Sequence, residues 1–151
     1  MYDRCTGAQT IPLVNWVLVV DDDREVRDIV HWALQEEGYG VLEAGDGVEA
    51  LACLRSSARP LVTVLDYRMP RLTGGEVLEV VAADPRLAAR HAFLLATADR
   101  VSLPHSVVAL ARHHGIPCLP KPYDLDLLLA LVAGLTARLR LRTRRAALSA
   151  R

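Results

Sequence analysis

The chain has 151 residues, 52% of hydrophobic type and 24% charged, with 9 Gly and 8 Pro. That length fits one domain, and the balance excludes a disordered, collagen-like or disulfide-stapled chain. The net charge of zero hides an asymmetry: residues 1–137 carry 12 basic against 18 acidic side chains, while residues 138–151 carry six arginines and no acid.

Short apolar runs alternate with amphipathic segments. Residues 15–20 (NWVLVV) predict a buried strand that stops at Asp21, Asp22 and Asp23. Over 24–37, Val26, Ile29, Val30, Ala33 and Leu34 fall on one helical stripe, which Gly38 ends. Residues 40–44 predict a second strand, and 47–57 a helix with Asp46 placed to cap it. A third strand, 61–65 (LVTVL), ends at Asp66, and a third helix follows over 74–83. A fourth strand, 92–96 (AFLLA), ends at Thr97, and 104–114 predict a helix with Pro104 in its first turn. A fifth strand, 116–119, ends just before Lys121, and Asp124 opens a long last helix.

Five strands alternating with five helices predict an α/β fold: a doubly wound parallel sheet in the flavodoxin-like order 2-1-3-4-5. The strands read as unbroken apolar runs, as expected when helices cover both faces. The domain is expected to span 14–137, with an N-terminal extension over 1–13 and a basic tail or helix extension over 138–151.

Open α/β sheets bind ligands outside the carboxyl ends of their strands. The residues predicted at that edge are Asp21, Asp22, Asp23, Asp66, Thr97 and Lys121, the last being the one lysine among 18 cationic residues. Crowded carboxylates repel unless a cation neutralises them, and an all-oxygen ligand set favours a hard ion such as Mg²⁺ or Mn²⁺. One carboxylate could instead attack phosphorus and become an aspartyl phosphate. Such a transfer asks mainly for positioning and for cancellation of charge on the phosphoryl oxygens, which an ammonium and a hydroxyl can provide.

The stretches VLVVDDDREVR (17–27), VLDYRMPRLTGGEVL (64–78), LLATAD (94–99) and PKPYD (120–124) occur in order, each at a strand end. With these the chain resembles a receiver domain of the two-component response-regulator family. The resemblance implies that Asp66 is the phosphoacceptor, that Asp22 binds Mg²⁺ directly and Asp21 through water, and that Arg68 offers its backbone carbonyl to the metal. It implies Thr97 as the switch hydroxyl that moves onto the phosphoryl group, and Lys121 as the lysine that meets it, joined to Pro122 by a cis bond.

The chain departs from the family pattern at several positions. Cys118 stands three residues before the lysine, where the family usually carries an aromatic switch residue. Pro120 directly precedes Lys121 and stiffens the loop, and Thr73 replaces a common Asp. Arg68 and Asp99, two residues after Asp66 and Thr97, flank the path of water and are expected to tune the phosphoryl lifetime, paired with each other.

Plainer roles account for other residues. Asp23 and Asp46 read as helix caps, although a slip of one residue would make Asp23 a metal ligand in place of Asp22. Cys118 reads as a small side chain filling the space of the absent ring. Two adjacent histidines, His113 and His114, cannot readily share one zinc ion with Cys118, and His31, His91 and His105 show no ligand spacing. Residues 138–151 read as the fraying end of the last helix or a weak amphipathic contact; fourteen residues hold no known DNA-binding fold. Three cysteines (Cys5, Cys53, Cys118) without CxxC spacing, no secretory pattern and no membrane-length apolar run predict a cytoplasmic protein.

The function expected is a stand-alone receiver, without an output domain, that takes a phosphoryl group from a sensor histidine kinase or phosphotransfer protein. It is an enzyme only toward its own aspartate. Its output is a protein–protein contact or self-dimer through the fifth strand and the helices on either side of it. One alternative is a Mg²⁺-dependent phosphatase resembling the haloacid-dehalogenase group, for which Asp21 and Asp23 supply a DxD. The other is a receiver-shaped interaction module that never turns over phosphate.

Overall fold

The computed structural model describes residues 15–150, so the expected extension over 1–13 and Cys5 lie outside the described residues. The elements are β1 (Trp16–Val20), α1 (Arg24–Glu36), β2 (Gly40–Ala44), α2 (Gly47–Ser56), β3 (Val62–Asp66), α3 (Gly74–Ala83), α4 (Pro85–Arg90), β4 (Ala92–Thr97), α5 (His105–His113), β5 (Cys118–Pro120) and α6 (Leu125–Ser149).

The five strands form one parallel sheet in the order β2-β1-β3-β4-β5, as the alternation of elements predicts. Side chains alternate across it and build two cores. Val17, Val19, Val62, Val64 and Leu94 face α1 and α6, where Val30, Leu34, Leu128, Val132 and Leu135 meet them. Leu18, Val20, Leu65, Phe93 and Leu95 face the other helices, packing on Leu51, Leu54, Leu78, Leu87 and Val107. Both faces of the central strands are dry, which is why their sequences run apolar without alternating.

Short polar side chains start the helices. Asp23 accepts from the Glu25 and Val26 amides, Asp46 from Glu49, and Asp124 from Leu127; Thr73 and Glu76 form a capping box on α3. The α1 helix ends at Gly38, whose φ of +86° is open to glycine at little cost.

Five expectations need correction. There are six helices among the described residues, not five: Asp84 caps a further turn on the Arg86 amide, and Pro85 preorganises its start, giving α4. Ile29 is 54% exposed, because the buried stripe of α1 narrows to Val30, Ala33 and Leu34. Pro104 precedes α5 as its cap instead of lying inside it, and β5 starts at Cys118 instead of residue 116. The basic stretch does not fray, since α6 runs to Ser149, held by buried Leu135 and Leu139 and by the Arg142 guanidinium on the His91 carbonyl. Among the described residues no helix is long and apolar enough to cross a membrane.

Candidate functional site

The carboxyl ends of β1, β3, β4 and β5 converge because the sheet ladder continues past the strands. The Tyr67 amide donates to the Ala96 carbonyl at 2.8 Å, and the Lys121 amide to the Thr97 carbonyl at 2.9 Å. These bonds hold the loops after β3 and β5 against β4. Gly74 lets α3 start directly behind Asp66: a Cβ there would lie 2.4 Å from the Asp66 carbonyl oxygen.

Carboxylate oxygens of Asp21, Asp22 and Asp66 all lie within 4.8 Å of one another. Asp21 and Asp66 are buried and Asp22 is exposed. Both Asp21 oxygens are engaged: one accepts from the Asp23 amide at 2.9 Å, the other from the Lys121 ammonium at 2.6 Å, and each keeps a lone pair. Lys121 also reaches Asp66 at 3.1 Å. Arg27 donates to the Asp21 carbonyl at 2.7 Å and braces the turn after β1.

Burial pushes the Asp66 carboxyl up to about 6; the Lys121 ammonium works against this, and the negative charges of Asp21 and Asp22 reinforce it. Burial disfavours the Lys121 ammonium, but Asp21 and Asp66 outweigh that and raise its pKa above the ordinary lysine value. Three carboxylates against one ammonium leave formal negative charge in a partly buried pocket. Hard oxygen donors with that excess suit a divalent cation, with Asp22 as the accessible ligand.

Thr97 is buried at the end of β4, where its hydroxyl donates to the Asp99 carbonyl and accepts from the Asp99 amide, each at 3.2 Å. The Asp99 carboxylate caps the following turn, accepting from the Ser102 hydroxyl and from the amides of Ser102 and Val101. These bonds, the Ser102 hydroxyl first, hold it below the usual carboxylate range. The expected Arg68–Asp99 pair does not close to an ion pair among the described residues: Arg68 is exposed, and its charge acts on Asp99 only from a distance, as the smallest of the influences that lower it. Asp23 serves α1 as a cap and stays out of the carboxylate cluster, which leaves that place to Asp22. Cys118 is half-buried and packs on the core that includes Val107. His113 and His114 are exposed and stack edge to face.

The roles of three further residues escaped sequence reasoning. The Tyr123 ring lies 5.4 Å from the Lys121 ammonium, and burial followed by the charges of Asp21 and Asp66 pushes its phenol well above the usual range. Its place two residues after the lysine was the available signal. Arg71, at φ +68°, reaches back from the β3–α3 loop to the Asp46 carboxylate that caps α2. His91 is buried at the far end of the sheet, accepting from the Leu61 amide at 3.2 Å and donating to the Leu54 carbonyl at 3.0 Å. Neither of these two carries a local motif.

Residues 17–133 match the family described as the response regulator receiver domain, and the aspartate cluster, Thr97 and Lys121 all lie within that span. The chain belongs to the response regulator receiver domain family. The receiver is 40% identical over 125 residues to response regulator MprA of Mycobacterium ulcerans, covering 83% of this chain and 51% of that protein. MprA of Mycobacterium avium is 40% identical over 122 residues, covering 81% and 51%. The chain thus spans about half the length of the curated relatives it matches. Among solved structures it resembles the chemotaxis protein CheY4 of Vibrio cholerae, with 28% identity, a TM-score of 0.67 and coverage of 81% of this chain and 98% of that one. A structure described as adenylate cyclase from Rhodopirellula baltica aligns with 25% identity and a TM-score of 0.77 over 92% of this receiver and 99% of that chain.

Proposed function

We propose that this receiver accepts a phosphoryl group on Asp66 from a phosphohistidine of a sensor histidine kinase or phosphotransfer protein. The observation that carries the reading is the buried, crowded Asp66 carboxylate with the one lysine of the chain 3.1 Å away. An Asp66 oxygen attacks phosphorus, the P–N bond of the donor breaks, and the product is an acyl phosphate. Asp21, Asp22, Asp66 and the Arg68 carbonyl would hold Mg²⁺ or Mn²⁺. When bound, the ion supplies positive charge for the phosphoryl oxygens.

Lys121 already spans Asp21 and Asp66, so its ammonium need move little to meet a phosphoryl oxygen. The Thr97 hydroxyl must leave the Asp99 backbone to do the same, and that exchange is the switch step. Cys118 cannot report the change as a swinging ring. Output passes instead through α5, β5 and α6, where Val108 and Leu127 are already exposed. Arg68 and Asp99 tune the acyl-phosphate lifetime separately, Arg68 from the solvent side and Asp99 by holding the turn after Thr97. The chain acts on its own aspartate alone, and it works in the cytoplasm, where the kinase's phosphohistidine resides.

Intact mass after incubation with Mg²⁺ and acetyl phosphate tests this. Wild type gains one labile phosphoryl group and Asp66→Asn gains none. An adduct that survives Asp66→Asn would transfer the role to Asp21 and revive the phosphatase reading.

A further inference from the structure

At the opposite end of the sheet from Asp66, the start of β4 and helices α3, α4, α5 and α6 surround a cavity of about 320 Å³. Leu78, Val81, Phe93, Leu110, Leu135 and Leu139 give it an apolar floor. Arg138, Arg142 and Arg145 from α6, with His114, form its rim, and no acidic side chain lines it among the described residues. Arg142 donates to the His91 carbonyl at 2.8 Å and Arg138 to the Gly115 carbonyl at 3.4 Å. Neutral carbonyls therefore hold two guanidinium groups in place, and each keeps most of its five donors. Among the described residues none of the three arginines has an ion-pair partner. Partial burial and the adjacent charge of Arg138 make the Arg142 guanidinium less basic than usual, as expected where positive charge lacks a counterion.

We propose that this cavity binds a free amphiphile with one anionic head, a carboxylate or phosphate monoester, on an unbranched apolar chain. The two halves of the site select the two halves of the molecule. The floor takes up chain that water excludes, and the arginine fork meets the planar or tetrahedral oxygens of the head. The cavity lies at the small end of ligand sites, which fits a chain of about eight to twelve carbons. Arg138, Arg142 and Arg145 all come from the C-terminal half of α6, so an occupied cavity ties that half to α3 and α4. Binding here is separate from the chemistry at Asp66 and stands or falls without it.

Titration calorimetry of the full chain with decanoate, kept below its aggregation concentration, tests the site. One saturable site is expected, with decyl phosphate also binding. Octanoate, two methylenes shorter, should bind about fifteenfold more weakly, since each buried methylene is worth about fourfold. Decanol, which lacks the charge, should lose about tenfold or more. Ala88→Phe, which fills the cavity from α4, should abolish binding. Arg145→Gln should weaken it about tenfold while leaving the fold intact, because that guanidinium makes no hydrogen bond among the described residues. Decanol binding as tightly as decanoate would overturn the anionic head. Decanoate binding unchanged in both variants, or no saturable binding, would overturn the cavity. Co-sedimentation with anionic phospholipid vesicles that Ala88→Phe leaves unchanged would assign the arginines to a membrane surface and overturn the free ligand.

Discussion

Asp66→Asn should stabilise the metal-free receiver, and more so at higher pH. The folded state raises the Asp66 carboxyl from 3.8 to about 6, so near neutral pH the native chain carries a carboxylate in a place that disfavours it. The sign follows from proton linkage. Between about pH 4 and 6 the native state binds more protons than the unfolded state, so the Asp66 contribution falls as pH rises through that window. A shift of about two units is worth about 3 kcal/mol at most, and screening at the solvent-facing rim reduces it to about 1–2 kcal/mol. Asparagine keeps the shape and removes the charge. Urea unfolding with chelator present should find Asp66→Asn about 1–2 kcal/mol more stable than wild type near pH 7.5 and about half as much near pH 5. Subtracting one protein from the other cancels His91, which titrates in the same range with the opposite sign. An asparagine variant less stable than wild type at both pH values would refute the reasoning, because it would mean that Lys121 more than offsets the crowding.

Three further outcomes follow from the same structure. Burial lowers His91 to about 4, so its contribution is present above pH 6.5 and is lost as pH falls toward 4; His91→Phe, which orphans the Leu61 amide and the Leu54 carbonyl, should cost about 2–4 kcal/mol in urea unfolding and remove that acid-sensitive part. Gly74→Ala should cost about 1–3 kcal/mol in thermal or urea unfolding and slow adduct formation from acetyl phosphate, since its Cβ would lie 2.4 Å from the Asp66 carbonyl oxygen. Arg68→Asn should change the decay rate of the phosphoryl adduct a few-fold in a time course of intact mass; an unchanged rate would end the lifetime-tuning role of that position.

The sheet order and the cluster at its edge were legible in the sequence because they rest on short-range signals. Unbroken apolar runs fixed the strands, and an acidic, hydroxyl or lysine residue followed four of them. The sixth helix was missed although Asp84 and Pro85 are an ordinary helix start, because six residues hold too little periodicity to separate a helix from a loop. The sequence left open whether 138–151 is a tail or an extension of the last helix, because what decides it is tertiary: Leu135 and Leu139 pack on distant strands, and Arg142 finds a carbonyl 51 residues away. The Arg68–Asp99 pair looked reasonable from spacing alone, but local competition decided it. Ser102 and two amides reach the Asp99 carboxylate first, within its own turn. Arg71 and His91 act through partners far apart in sequence, which no local pattern reveals, whereas Tyr123 sits two residues after Lys121, where spacing alone offered a signal.

The central claim is that Asp66 is the residue that carries phosphorus. Borohydride reduces an acyl phosphate to the alcohol, so peptide mass spectrometry of acetyl phosphate-treated, borohydride-reduced protein locates the acceptor directly. The account predicts homoserine at position 66 and an unmodified 21. Homoserine at position 21, or no reduced aspartate after Mg²⁺ and phosphodonor were both supplied, would contradict it.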